Sequence, residues 1–107
     1  MRTPESQLMK LVTDWLTAEG YFWVRMNTVS GKLERGGYVK QGVKGMADLM
    51  VWSVVACEGD LNWLELKSPR GKLTPEQSSF GEMVKSRGMG WAVCRSLEDV
   101  KSALGVK

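Results

Sequence analysis

Read as a strand, Asn62 to Lys67 turns Trp63, Glu65 and Lys67 to one face and Leu64 and Leu66 to the other. A carboxylate and an ammonium two residues apart, between apolar neighbours, are unusual in a half-buried strand without a chemical reason. Asp48 opens the preceding apolar stretch, after Gly45-Met46-Ala47. If the two stretches pair through the turn Glu58-Gly59-Asp60, Asp48 and Glu65 lie side by side on neighbouring strands. Two carboxylates held close repel unless a cation sits between them. Oxygen donors from two acids, completed by water and a phosphate, suit Mg²⁺ or Mn²⁺.

With 8 Glu and 9 Lys in 107 residues, chance alone supplies about 0.7 Glu-x-Lys pairs, so the pair by itself carries little. An isolated pair reads equally as a cross-strand salt bridge, Glu65 meeting Lys67 or Lys44. The setting adds weight: an apolar strand, a preceding Gly-x-x-Asp, and a basic loop and Pro-capped helix behind.

Composition narrows the alternatives. The chain has no His and two Cys, Cys57 and Cys94, with no CxxC pair. That excludes Ser-His-Asp and Cys-His catalysis, His-ligated zinc and a disulfide framework. The balance of 43% hydrophobic and 25% charged residues is that of an ordered globular chain. At 107 residues one domain, 1–107, is expected. No apolar run approaches a membrane span. Met1-Arg2-Thr3-Pro4-Glu5 leads into no apolar stretch, so no signal peptide and an intracellular, cytoplasmic setting are expected.

The net charge of +3 is uneven. Between Thr28 and Ala47 stand Lys32, Arg35, Lys40 and Lys44 with the single acid Glu34, and Lys67-Ser68-Pro69-Arg70-Gly71-Lys72 adds three bases and no acid. Clustered bases in Gly-rich loops suit phosphate contact, although such runs also serve as solvated faces.

Around these residues the chain reads α-β-(β)-β-β-α-β-α. Thr3 as N-cap, Pro4 and Glu5 start a helix whose apolar face is Leu8, Leu11, Val12, Trp15 and Leu16, ended by Gly20. Tyr21 to Asn27 reads as a strand. Residues 28–47 form a long hairpin or loop with a short strand near Tyr38-Val39-Lys40. Asp48 to Ala56 reads as a strand buried on both faces for much of its length. Thr74-Pro75-Glu76-Gln77 is a capping box opening a helix with Phe80, Met83 and Val84 inward, closed by Arg87-Gly88. Gly90 to Arg95 is a further strand, and Ser96 opens a last helix with Val100 and Leu104 inward. Trp15, Trp23, Trp52 and Trp91 read as core aromatics. Trp63, on the face of Glu65, reads as packing under a helix or meeting nucleic acid.

Gly45-Met46-Ala47-Asp48-Leu49-Met50-Val51-Trp52, with Trp63-Leu64-Glu65-Leu66-Lys67-Ser68-Pro69-Arg70-Gly71-Lys72-Leu73-Thr74-Pro75-Glu76-Gln77, resembles the VRR-NUC (virus-type replication-repair nuclease) domain, of the PD-(D/E)xK restriction-endonuclease-like superfamily. Arg25-Met26-Asn27 with Gly31, and Gly88 with Val93 to Asp99, are similar in placement, so the likeness runs from Glu5 to about Asp99. Ala47 stands where the superfamily name implies Pro.

The resemblance implies an α/β fold with a mixed central sheet flanked by helices, and a Mg²⁺- or Mn²⁺-dependent endonuclease. It implies Asp48, Glu65 and the main-chain carbonyl of Leu66 as metal ligands, with Glu5 completing the site. It implies Lys67 orienting or helping to activate the attacking water, and Gln77 near the site. From the residues alone, Glu5 is also a helix-dipole carboxylate and Gln77 a capping residue. The DNA-binding candidates are Lys32, Arg35, Lys40, Lys44, Arg70 and Lys72. Stand-alone members imply a homodimer acting on branched DNA such as four-way junctions, and a two-fold dimer would present two sites to two symmetric strands. The rivals are a DNA-binding module with this fold but no catalysis, and an interaction subunit whose charges are only surface salt bridges.

Overall fold

Pro4 and Glu5 begin α1 (Pro4–Ala18), whose Leu8, Val12 and Leu16 recur at four-residue spacing and are buried. Leu11, expected on the same face, is half exposed: its position falls on the stripe's margin, where no described element covers it. Gly20 closes the helix at φ +79°, a left-handed conformation suited to glycine. In this computed structural model the described residues are 4–26, 31–32, 38–39, 44–53 and 60–106, with the side chains of 31–32 and 38–39 outside the description. Thr3, expected as the N-cap, lies outside it.

The strands are β1 (Trp23–Arg25), β2 (Gly31–Lys32), β3 (Tyr38–Val39), β4 (Leu49–Trp52), β5 (Leu61–Leu66) and β6 (Gly90–Cys94). Two further helices are α2 (Pro75–Ser86) and α3 (Leu97–Ala103). One mixed sheet has the order β1-β4-β5-β6, antiparallel except for the parallel β5–β6 pair, which α2 connects. A parallel neighbour requires such a crossover. β2 and β3 pair separately and antiparallel, which agrees with a short strand near Tyr38.

Each face of the sheet has its own core. Leu49, Val51, Leu64, Leu66 and Cys94 pack with Leu8, Val12 and Leu16 of α1 and with Val100 and Leu104 of the C-terminal region. On the opposite face Trp63 packs with Phe80 and Val84 of α2 and with Ala47. Trp63 and Phe80 meet edge-on with ring centroids 5.1 Å apart, so Trp63 lies beneath a helix.

Two expectations are corrected. The strand read over 48–56 as buried on both faces for much of its length alternates where it is described, 54–56 lying outside the described residues: Leu49 and Val51 face the first core, while Trp52 is 48% exposed because α2 covers the other half of that sheet face. Met83, assigned to the apolar side of α2, is 37% exposed, and Gly81 takes the inward position because Trp91 lies against its backbone. No helix among the described residues is long and apolar enough to cross a membrane.

Candidate active site

The antiparallel register of β4 and β5 places Leu49 opposite Leu64. One step further along the same register brings Asp48 opposite Glu65, and residues so paired direct their side chains to the same sheet face. Alternation from Trp63 makes that the face covered by α2. Asp48 Oδ2 accepts the N–H of Leu66 at 2.8 Å, and the Asp48 carbonyl accepts the N–H of Met26 at 2.8 Å. The acid is thus fixed between β1 and β5.

The Gly-x-x-Asp spacing has a steric origin. Gly45 holds φ +82°, and a Cβ there would collide with the Glu76 carbonyl in the first turn of α2. Ala47 then enters the α2-side core at 1% exposure, delivering Asp48 to the strand.

Glu65 is 3% exposed, and its Oε1 is buried without a hydrogen-bond partner. Burial, then a hydrogen bond to Asp48 and the Asp48 charge, push its carboxyl up to about 9. Lys67 opposes that rise and Glu5 adds to it. Left without a cation at neutral pH, Glu65 therefore holds a proton where a cation would substitute. Among the described residues no three His, Cys, Asp or Glu side chains cluster as a ligand set. An ion here would rest on two carboxylates, with remaining positions for a main-chain oxygen, water and phosphate, a donor pattern that Mg²⁺ accepts. The orphaned buried oxygen and the all-oxygen donor set fit that ion. Leu66 lies between Glu65 and Lys67, its N–H committed to Asp48 and its side chain in the opposite core.

Lys67 follows β5 and is half-buried, its N–H donating to the Cys94 carbonyl at 3.0 Å. No ion pair joins Lys67 or Lys44 to Glu65 among the described residues, so the cross-strand salt bridge is not formed there. Ser68 to Gly71 then make a β-turn closed by Gly71 N–H to the Ser68 carbonyl at 3.0 Å, with Pro69 in the position that favours its fixed φ. The turn exposes Arg70, and Lys72 is exposed just beyond it. Glu5 reaches this turn from α1, its Oε1 accepting the N–H of Ser68 at 3.4 Å.

Gln77 completes the capping box. Its Oε1 accepts the N–H of Thr74 at 2.9 Å, and its own N–H donates to Thr74 Oγ1 at 3.1 Å. Lys44 is exposed beside the start of α2. Arg35 and Lys40 lie outside the described residues, and for Lys32 only the backbone, in β2, is described.

One residue of this neighbourhood, Arg95, was not legible in the sequence. Arg95 donates through Nη1 to the carbonyls of Ser68 at 2.6 Å, Gly71 at 2.7 Å and Pro69 at 3.4 Å. Gly71 packs so closely that a Cβ would lie 3.0 Å from Ser68 Oγ and 3.4 Å from Lys67 Cδ. A single base ending a strand carries no motif. The one signal was the turn itself, whose carbonyls need donors. Cys94 contributes no nucleophile: burial, reinforced by the Asp99 charge, pushes its thiol up to about 12.

The model of the VRR-NUC domain matches residues 3–98. The chain belongs to the VRR-NUC domain family. The match contains Glu5, Asp48, Glu65, Lys67 and Gln77, and runs from α1 into the start of α3. The VRR-NUC assignment makes the chain a member of a nuclease family and agrees with the mixed sheet flanked by helices. Neither the curated proteins nor the solved structures yield a match.

Proposed function

We propose that this VRR-NUC chain hydrolyses DNA phosphodiester bonds with Mg²⁺ or Mn²⁺ held by Asp48 and Glu65, joined by the Leu66 carbonyl and with Glu5 at the margin of the site. The observation that carries the reading is the buried, unpartnered Oε1 of Glu65 beside Asp48. A buried polar atom without a partner is costly in a fold's own terms, and a cation in that position satisfies it. The bound ion would supply neutralisation of phosphate charge and a lowered pKa for bound water.

The chain's own residues do the rest. Asp48 and Glu65 fix the ion's place, and the Leu66 N–H fixes Asp48. Lys67 sets a compact positive charge where the attacked phosphate gathers negative charge and orients the incoming water. Arg70, Lys72 and Lys44 bind the phosphate backbone, with Lys32, Arg35 and Lys40 as further candidates. Gln77 combines its cap with a place near the site. One chain carries one such centre, so a two-fold homodimer cutting both arms of a branched substrate, such as a four-way junction, is the economical assembly.

Incubation of the purified protein with linear duplex and four-way junction DNA, with Mg²⁺, Mn²⁺ or EDTA, tests this. Junction cleavage that requires the metal and is lost in Asp48→Ala and Glu65→Ala is expected. Cleavage surviving EDTA, or persisting in both variants, rules the site out. Salt-sensitive, metal-independent DNA binding without any cutting would indicate a non-catalytic module. Light scattering at twice the monomer mass is expected for the dimer, and the monomer mass counts against it.

A further inference from the structure

We propose that Arg95 is a positioning residue of the candidate centre: its guanidinium holds the Ser68–Gly71 turn, and through it the placement of Lys67. The inference rests on the nuclease reading for its functional meaning, but its geometry stands apart from the acid pair.

Lys67 stands just past the end of β5, where a backbone hydrogen bond to β6 still holds it. Its two flanking peptide groups are held by different elements. The Lys67 N–H donates to the Cys94 carbonyl at 3.0 Å, and the Ser68 N–H is within 3.4 Å of Glu5 Oε1. Arg95, next after Cys94, then takes the Ser68 carbonyl at 2.6 Å and the Gly71 carbonyl at 2.7 Å. Consecutive residues of one strand end therefore bracket Lys67 from either side.

The bracket is itself anchored. The Arg95 N–H donates to Asp99 Oδ2 at 2.8 Å, and the Asp99 N–H donates to the N-cap Ser96 Oγ at 3.2 Å. The start of α3 thus fixes the base of the clamp. At the other end a Cβ on Gly71 would lie 3.4 Å from Lys67 Cδ, so the turn runs beside the Lys67 stem and its bare glycine leaves the stem its space. The contacts all come from one nitrogen, Nη1, which the rigid guanidinium plane carries to the turn, whereas a lysine ammonium ends a flexible stem.

The test compares wild type with Arg95→Lys, which keeps charge and stem, and Arg95→Ala. Cleavage kinetics, Mn²⁺ affinity, and NMR signals of the Lys67 side chain and Gly71 amide are read for each. Expected are a fall in kcat of about ten- to a hundredfold, the scale of a small misplacement of a catalytic group, with KM and Mn²⁺ affinity within about twofold of wild type. The Lys67 and Gly71 signals shift while methyl signals of Leu64 and Val12 do not, and methylguanidinium restores part of the Arg95→Ala rate. Wild-type kcat in both variants, or unmoved Lys67 signals, overturns the proposal. So does loss of rate that follows only the unfolded fraction and is not restored by methylguanidinium. If wild type itself does not cut, the nuclease reading fails, and the Lys67 and Gly71 signals still decide whether Arg95 positions the turn.

Discussion

Asp48 and Glu65 stand across from one another on adjacent antiparallel strands, one register step beyond Leu49 and Leu64, with the Leu66 N–H binding Asp48 Oδ2 at 2.8 Å. The backbone thereby holds together two carboxyls that would otherwise separate. Asp48 keeps a hydrogen-bond donor, whereas Glu65 Oε1 has none. The asymmetry makes Glu65 the member that carries a proton or needs a cation.

Replacing Glu65 by Gln removes the shared charge while keeping shape. Metal-dependent cleavage is expected to fall at least about a hundredfold, the scale on which loss of one preorganised electrostatic group acts, while the metal-free fold is retained or strengthened. Asp48→Asn should lose activity comparably and also weaken the bond to Leu66. Rates with Mg²⁺ and urea unfolding in EDTA, taken on the same preparations, separate the two effects.

The Glu65 carboxyl has an ordinary value of 4.5 and is raised to about 9 in the fold. Between those values the native state holds a proton that the unfolded chain has released. Its contribution to stability is therefore fully present below pH 4.5 and is lost as pH rises toward 9. Metal-free protein should show this decline in urea midpoints at pH 5, 7 and 9, and Glu65→Gln should lack that component. Cys94, raised from an ordinary 9.0 to about 12, adds a decline of the same sign that begins only at the pH 9 edge of the window and that Glu65→Gln retains. Since a metal displaces the same proton, Mn²⁺ affinity should strengthen across the window. An affinity independent of pH would contradict the assignment of the ion to Glu65.

Gly45→Ala should cost stability before it costs chemistry. The residue sits at φ +82°, and an added Cβ meets the backbone of Glu76. A non-glycine residue in that region costs about 1–3 kcal/mol, with the collision added. Denaturant unfolding reads the loss directly, and an unchanged midpoint would show that this segment can move away from α2.

The order of elements along the chain and the acid pair were legible because alternation and turn residues are local properties. Trp63, Leu64, Glu65 and Leu66 declare their faces by period two, and Thr74-Pro75-Glu76-Gln77 declares its cap by chemistry. Exposure was less legible. Trp52 and Met83 look like core by type, but which half of the sheet α2 covers depends on the β5–α2–β6 connection, not on the residues themselves. Arg95 was hidden for the same reason: its acceptors are the main-chain carbonyls of a turn 24 to 27 residues away, which a side-chain pattern does not report. The register that sets Asp48 against Glu65 was inferred from pairing through a turn; the pairing of Leu49 with Leu64 bears out the register, while Glu58 and Gly59 of that turn lie outside the described residues.

Gln77 allows its two roles to be separated. Gln77→Glu retains an oxygen for the Thr74 N–H, whereas Gln77→Ala removes it. If capping is its whole role, Gln77→Ala should lower stability by about 1 kcal/mol, and Gln77→Glu should have wild-type stability and rate. If its amide also serves the site, Gln77→Glu should fold normally but cut more slowly. Thermal melts and single-turnover rates of the pair distinguish these outcomes.

Arg70 and Lys72 are exposed on and just after the turn that Arg95 holds, so they should act on DNA through charge alone. For each DNA phosphate that a variant no longer neutralises, the slope of log affinity against log salt should become shallower by about 0.9 on duplex DNA. Arg70→Ala and Lys72→Ala should each weaken binding of unrelated sequences to a similar degree and leave Mn²⁺ binding at Asp48 and Glu65 unchanged. Titration of labelled duplex at several salt concentrations, in Ca²⁺ to suppress cutting, measures the slope. An unaltered slope in the double variant would remove this turn from the DNA-binding surface and leave the task to Lys44 and the bases between residues 28 and 47.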